Sequence, residues 1–147
     1  MFFDKLSKSA RVSLGVVTFF ATATSISYSS IAATTAIKVT LTGEQEVPAV
    51  KSAGLGAGTI SVSTDHSVSG SVTTTGIAGT AAHIHDAAPG NNGPMVMPLK
   101  KTGDTYAVPA GAKLTDAQAA SFEAGDLYVN VHTAANPGGE IRGQLKP

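Results

Sequence analysis

The chain has 147 residues with ten acidic and ten basic side chains, and no cysteine or tryptophan. Balanced charge gives no electrostatic reason for a nucleic-acid partner, and the lack of cysteine excludes both a disulfide-braced scaffold and a lipid-anchored leader. The length suits one small domain.

The chain opens with a leader. Lys5, Lys8 and Arg11 precede an uncharged apolar stretch centred on residues 14–23, and Ser30, Ile31 and Ala32 form a small-x-small cleavage site. Residues 1–32 therefore read as a signal peptide, with Ala33 and Ala36 as alternative cut points. A transmembrane anchor is the competing reading, but the apolar core falls well short of the roughly 20 residues a bilayer needs. Removing residues 1–32 leaves seven basic and nine acidic side chains, a formal charge of −2. The remaining domain, residues 33–147, is expected in the periplasm or outside the cell, free of the membrane. A hydrophobic core and backbone ladders must hold it.

Short Val-, Ile- and Thr-rich runs broken by Gly, Pro, Asn and Asp follow, the pattern of an all-β sandwich or barrel. The runs predict a Greek-key-like antiparallel fold of seven to eight strands with one short helix. Residues 36–42 form the first strand, and the GEQEVPAV segment turns because Pro48 has no N–H to donate. Residues 57–63 and 67–75 alternate around a turn at Asp65 and His66. Residues 81–86 make a strand bearing two histidines, expected to pair with 67–75 around Ala78, and the loop DAAPGNNGP follows it. Residues 95–100 and 104–108 suit a hairpin across Thr102 and Gly103. Thr115 caps a helix over 116–124 that Gly125 ends. Strands at 126–133 and 139–145 close the fold.

Alternation puts His83 and His85 on one face of their strand. It sets Leu127, Val129 and Val131 against a polar face of Tyr128, Asn130 and His132. If the two strands are close, three imidazoles converge, the donor set that copper or zinc takes. The competing reading makes them polar members of half-exposed strands. Asn130, Glu140 and Arg142 are candidates to orient the ligands from behind. Met95 and Met97, two apart on one strand, are minority candidates as soft donors; as core fillers they need no metal. The expected pairing places His66 about 17 Å from His85 at ~3.3 Å per residue, so it is set aside as a turn residue. No hydroxyl nucleophile has an adjacent base. GLGAG at 54–58 leads into a strand and offers no phosphate nest.

The segments LTGEQEVPAV, AAHIHDAAPGNNGPMVMPL and GDLYVNVHTAANPGGEIRGQL resemble the signature blocks of the CHRD domain, named for the repeats of chordin and found as single exported domains in bacteria. The resemblance spans about residues 37–145, with Ala49 and the Met95 and Met97 pair as departures. It implies the fold and, through chordin's sequestration of growth factors, a non-catalytic protein-interaction module with an unknown partner. The His-x-His strand and later Val-His are also similar to the copper-ligand layout of copper-zinc superoxide dismutase. That family's disulfide, zinc loop and bridging imidazole have no counterpart here, so a dismutase-like enzyme ranks third. The leading expectation is an exported protein that binds, stores or delivers copper, or alternatively zinc, through His83, His85 and His132.

Overall fold

The computed structural model describes residues 32–147. The leader expected over residues 1–32 lies, but for its last residue, outside the described residues. Among these residues nine antiparallel strands and one α-helix follow in order, with a single 3-10 turn over Gly43–Gln45 after the first strand. They are β1 (Thr34–Thr42), β2 (Leu55–Ser63), β3 (Val68–Thr75), β4 (Gly79–Asp86), β5 (Met95–Pro98), β6 (Lys100–Thr102), β7 (Thr105–Ala107), α1 (Asp116–Ala124), β8 (Leu127–Thr133) and β9 (Ile141–Leu145). Among the described residues no helix is long and apolar enough to cross a membrane.

The strands form one sheet in the order β5-β4-β8-β9-β1-β2-β3-β7-β6. Its two ends are consecutive pieces of one chain segment, separated only by Leu99, whose N–H donates to Ala82 O at 2.9 Å. The segment 95–102 thus pairs with β4 through its first half and with β7 through its second, so the sheet curls into a nearly closed barrel. Closure removes the unpaired edges that an open sheet presents. The all-β expectation holds, with one strand more because the 95–100 run divides at Leu99.

One face of every strand except the short, exposed β6 fills the barrel. Val39, Leu41, Ile60, Val72, Ile84, Val129, Val131 and Ile141 are buried there with Tyr106 and Phe122. Helix α1 spans the expected residues for the expected reasons. Thr115 and Gln118 form a reciprocal capping box, and Gly125 takes the left-handed conformation (φ 79°) that ends the last turn. Ser121 Oγ donates to Asp86 Oδ2 (3.0 Å) and ties the helix to the end of β4.

One expected pairing is corrected. Strand β4 does not pair with β3 but lies between β5 and β8, while β3 pairs with β2 and β7. Gly76 (φ 75°) turns the chain out of β3, and β4 sets Ala82 and Ile84 opposite Val131 and Val129 instead. Apolar burial on both flanks favours that register over a local hairpin.

Candidate metal centre

The β4–β8 register builds the site. His83 lies opposite Asn130, His85 opposite Tyr128, and His132 opposite Ala81, one step beyond Asn130 on the same side of β8. All three histidines point to the outer face of the barrel and are half-buried. One nitrogen from each lies within 4.8 Å of the others. Nδ1 of His83 is 2.9 Å from Nε2 of His132, and their ring centroids are 4.7 Å apart. Four-coordinate bonds of about 2.0–2.1 Å put ligand nitrogens roughly 3.4 Å apart, a spacing this group reaches with small side-chain movements.

Backbone carbonyls fix two of the rings. Nδ1 of His85 donates to Gly93 O (3.0 Å), and Nδ1 of His132 donates to Pro137 O (3.0 Å). A carbonyl oxygen only accepts, so each Nδ1 carries the proton and each Nε2 keeps its lone pair. His83 then donates from Nδ1 to His132, and it offers a metal that nitrogen by shifting its proton to Nε2. Nε2 of His85 is shut off from solvent and has no hydrogen-bond partner. Burial, followed by the charge of neighbouring His132 and then His85, holds His83 below the ordinary 6.5. Burial likewise depresses His85, over the opposing effect of the Gly93 carbonyl. Both are therefore neutral at pH 7, the form that ligates.

Two loops cover this outer face. The loop after β4 is fastened by Asp86 N–H to Pro94 O (3.0 Å), Gly93 N–H to Tyr128 Oη (3.4 Å) and Asn92 Nδ2 to Val47 O (2.6 Å). The segment after β1 brings in Glu46, which is 5% exposed. Beneath them lies Arg142, 1% exposed, whose Nη1 donates to Asn91 O (2.8 Å) and Nη2 to Gln144 Oε1 (3.0 Å). Its guanidinium carbon sits 3.4 Å from the centre of the Tyr128 ring, against which His85 also stacks at 5.0 Å. Burial raises the Glu46 carboxyl above the ordinary glutamate range, and the Arg142 charge pulls the other way. The face read from alternation as polar is thus covered, with Tyr128, Asn130 and Arg142 all buried.

The three histidines come together as expected. Asn130 lies beside His85, and Arg142 bears on it by charge. Glu140 turns elsewhere: its carboxylate accepts from Ser52 Oγ (2.7 Å), Asn136 Nδ2 (2.8 Å) and Thr133 Oγ1. It braces the 133–140 turn that presents Pro137 O to His132. Met95 and Met97 do not share a face, because a bulge shifts the β4–β5 register: Met97 opposes Ile84 and is buried in the core, whereas Met95 opposes His85 and is 55% exposed. His66 stays out of the cluster at the β2–β3 turn (φ 64°), with its Nδ1 3.4 Å from Asp116 Oδ1. Its exclusion therefore stands without the pairing first used to argue it. Glu46 and Gly93 are the site residues that sequence reasoning missed; both lie in turns where no periodicity marks a facing partner.

Larger clefts lie away from the histidines. One of about 460 Å³ runs between β1, β2 and α1, and one of about 510 Å³ lies beside Gly43 and Leu55. Neither is lined by His83, His85 or His132.

Two predictions test the turn that holds His132. Gly139 adopts φ 137°, and a Cβ there would meet Glu46 Oε1 and lie 2.8 Å from Asn130 Nδ2. Gly139→Ala is expected to cost about 1–3 kcal/mol in urea unfolding, the range for a strained backbone position. Glu140 is held below its ordinary 4.5 by hydrogen bonds from Thr133, Asn136 and Ser52. A depressed carboxylate contributes stability that is present above the unfolded value and lost as pH falls through the folded one. Unfolding at successive pH values from 6 downward should show Glu140→Gln less stable at pH 6 and less acid-sensitive below 4.5 than the parent.

No curated protein and no solved structure matches the chain. Residues 37–145, which carry β4, β8 and both covering loops, match the family model for the CHRD domain, and the chain belongs to that family.

Proposed function

We propose that the protein is an extracellular or periplasmic module that holds a single copper ion through His83, His85 and His132. One observation carries the reading: three imidazole nitrogens lie within 4.8 Å of one another, and the buried Nε2 of His85 has no partner. A merely structural histidine at this depth would be hydrogen-bonded at both nitrogens. Carbonyl groups that hold the far nitrogens of His85 and His132 are the usual outer support of metal-bound imidazoles. Neutral imidazoles serve copper and zinc alike; an exposed thioether at Met95, across the ladder from His85, favours copper. The large clefts lie elsewhere, which suits binding, storage or delivery better than turnover of a bulky substrate.

Titration of the purified chain with Cu(II) tests this. A single tight site is expected, and the His83→Ala, His85→Ala double variant should weaken it by more than the roughly 10- to 100-fold that loss of an outer partner costs. Equal copper binding by parent and variant would sink the reading.

A second reading is favoured by family membership. CHRD domains occur in extracellular proteins, which supports a non-catalytic interaction module in which the histidines serve the fold. A dismutase-like enzyme ranks third, and superoxide consumption by the copper-loaded chain tests it.

A further inference from the structure

His132 is held on its far side by Pro137 O, which accepts from Nδ1 at 3.0 Å. Proline brings no N–H, so the placement of that carbonyl depends on how its neighbours fold the turn. Asn136 N–H donates to Thr133 Oγ1 (3.0 Å) and Gly139 N–H to Asn136 O (3.1 Å), while Glu140 N–H donates to Val131 O (2.8 Å), the carbonyl just before His132. The Glu140 carboxylate joins this turn to a third segment. Its Oε2 accepts from Thr133 Oγ1 and from Asn136 Nδ2 (2.8 Å), and its Oε1 accepts from Ser52 Oγ (2.7 Å), 88 positions away in the chain.

All three partners donate to this carboxylate. Ser52 Oγ accepts from Gly54 N–H (2.9 Å) and Thr133 Oγ1 from Asn136 N–H, which leaves the single proton of each hydroxyl for Glu140. Asn136 Nδ2 can only donate. The side chain at 140 must therefore accept on both oxygens, as a carboxylate does and an amide of the same shape does not. A glutamine NH2 would meet either the Ser52 hydroxyl, already turned to donate, or Thr133 and Asn136, protons against protons.

We propose that Ser52 and Glu140 are positioning residues of the metal centre: their brace fixes Pro137 O, that carbonyl fixes the rotation of the His132 ring, and Nε2 is kept 2.9 Å from His83 Nδ1 and ready to ligate. The inference rests on the three-histidine reading. It brings the segment between β1 and β2 into the centre through a serine that no strand periodicity singles out. His85 supplies a contrast, because its Nδ1 is held by Gly93 O, from the loop after β4.

Cu(II) affinity is measured by titration of the parent, Glu140→Gln and Ser52→Ala at a temperature where each is folded, and solvent exchange of the imidazole Nδ1 protons is followed by NMR in the metal-free chains. Glu140→Gln should weaken Cu(II) binding by roughly 10- to 100-fold and Ser52→Ala by about tenfold, the range for loss of an outer partner. In both variants the His132 Nδ1 proton should exchange faster while that of His85 keeps its parent rate, a contrast that general loosening of the fold would not produce. In a His132→Asn background, Glu140→Gln should leave the remaining Cu(II) affinity unchanged. If Glu140→Gln does not fold, Ser52→Ala carries both measurements. Cu(II) bound by the variants as tightly as by the parent, or His85 and His132 protons accelerated alike, overturns the role of the brace and leaves the histidine site standing. No Cu(II) bound by the parent chain overturns both.

Discussion

Replacing Arg142 by methionine is expected to destabilise the fold by about 3–5 kcal/mol, the cost of leaving two part-buried acceptors, Asn91 O and Gln144 Oε1, without their charged donor. Arg142 is 1% exposed, and its charge opposes that of Glu46 across the covered face. Methionine fills much of the volume but donates to neither Asn91 O nor Gln144 Oε1. It also leaves Tyr128 without the cation on its ring. The Glu46 carboxylate would then be buried with no opposing charge, a state it escapes only by taking up a proton. For a domain this size the loss lowers Tm by roughly 15 °C or more. The Glu46→Gln, Arg142→Met double variant should recover part of that loss, because the orphaned charge is gone. Thermal unfolding of both single variants and the double variant decides it: a change below about 1 kcal/mol in Arg142→Met would reject the predicted loss, and a double variant equal to the sum of the two singles would mean that the residues are not coupled.

Arg142 also marks where the sequence could be read and where it could not. Alternation correctly placed His83 with His85 and set Asn130 with His132, because a strand fixes the face of every second residue. It could not tell an outer face wetted by solvent from one roofed by loops, so Tyr128, Asn130 and Arg142 looked polar and exposed. Helix α1 was fully legible because its signals at Thr115, Gln118 and Gly125 are local. Met95 and Met97 were assigned one face because counting by twos fails at a bulge, and nothing in the residues announces one at Val96. The pairing of β4 with β8 joins residues about 45 positions apart and leaves no local trace. Glu46 fell within a segment read only as a turn, and tertiary folding alone carries that turn over Asn130. The family resemblance marked all three segments, because their residues meet at one face of the barrel, but it did not say what they do there.

The largest reversible effect expected is on stability when the metal is added and removed. An ion that binds only the folded chain stabilises it by RT ln(1 + [L]/Kd), about 4 kcal/mol at a free concentration of 1,000 Kd. Copper should therefore raise Tm of the parent, and a chelator should return it to its starting value. His85→Ala should abolish the response, because the Nε2 atom it removes is the one with no other partner in the fold. The interaction-module reading predicts a different pattern. There His132 matters through its contacts with His83 and Pro137 O, so His132→Asn should cost stability equally with copper and with chelator. In the metal-binding reading most of the cost of His132→Asn appears only with copper present. The two readings therefore part on one difference, the change in Tm between chelator and copper, measured in the parent, His85→Ala and His132→Asn. A parent chain whose Tm ignores both additions would reject the three-histidine metal site and leave the interaction module.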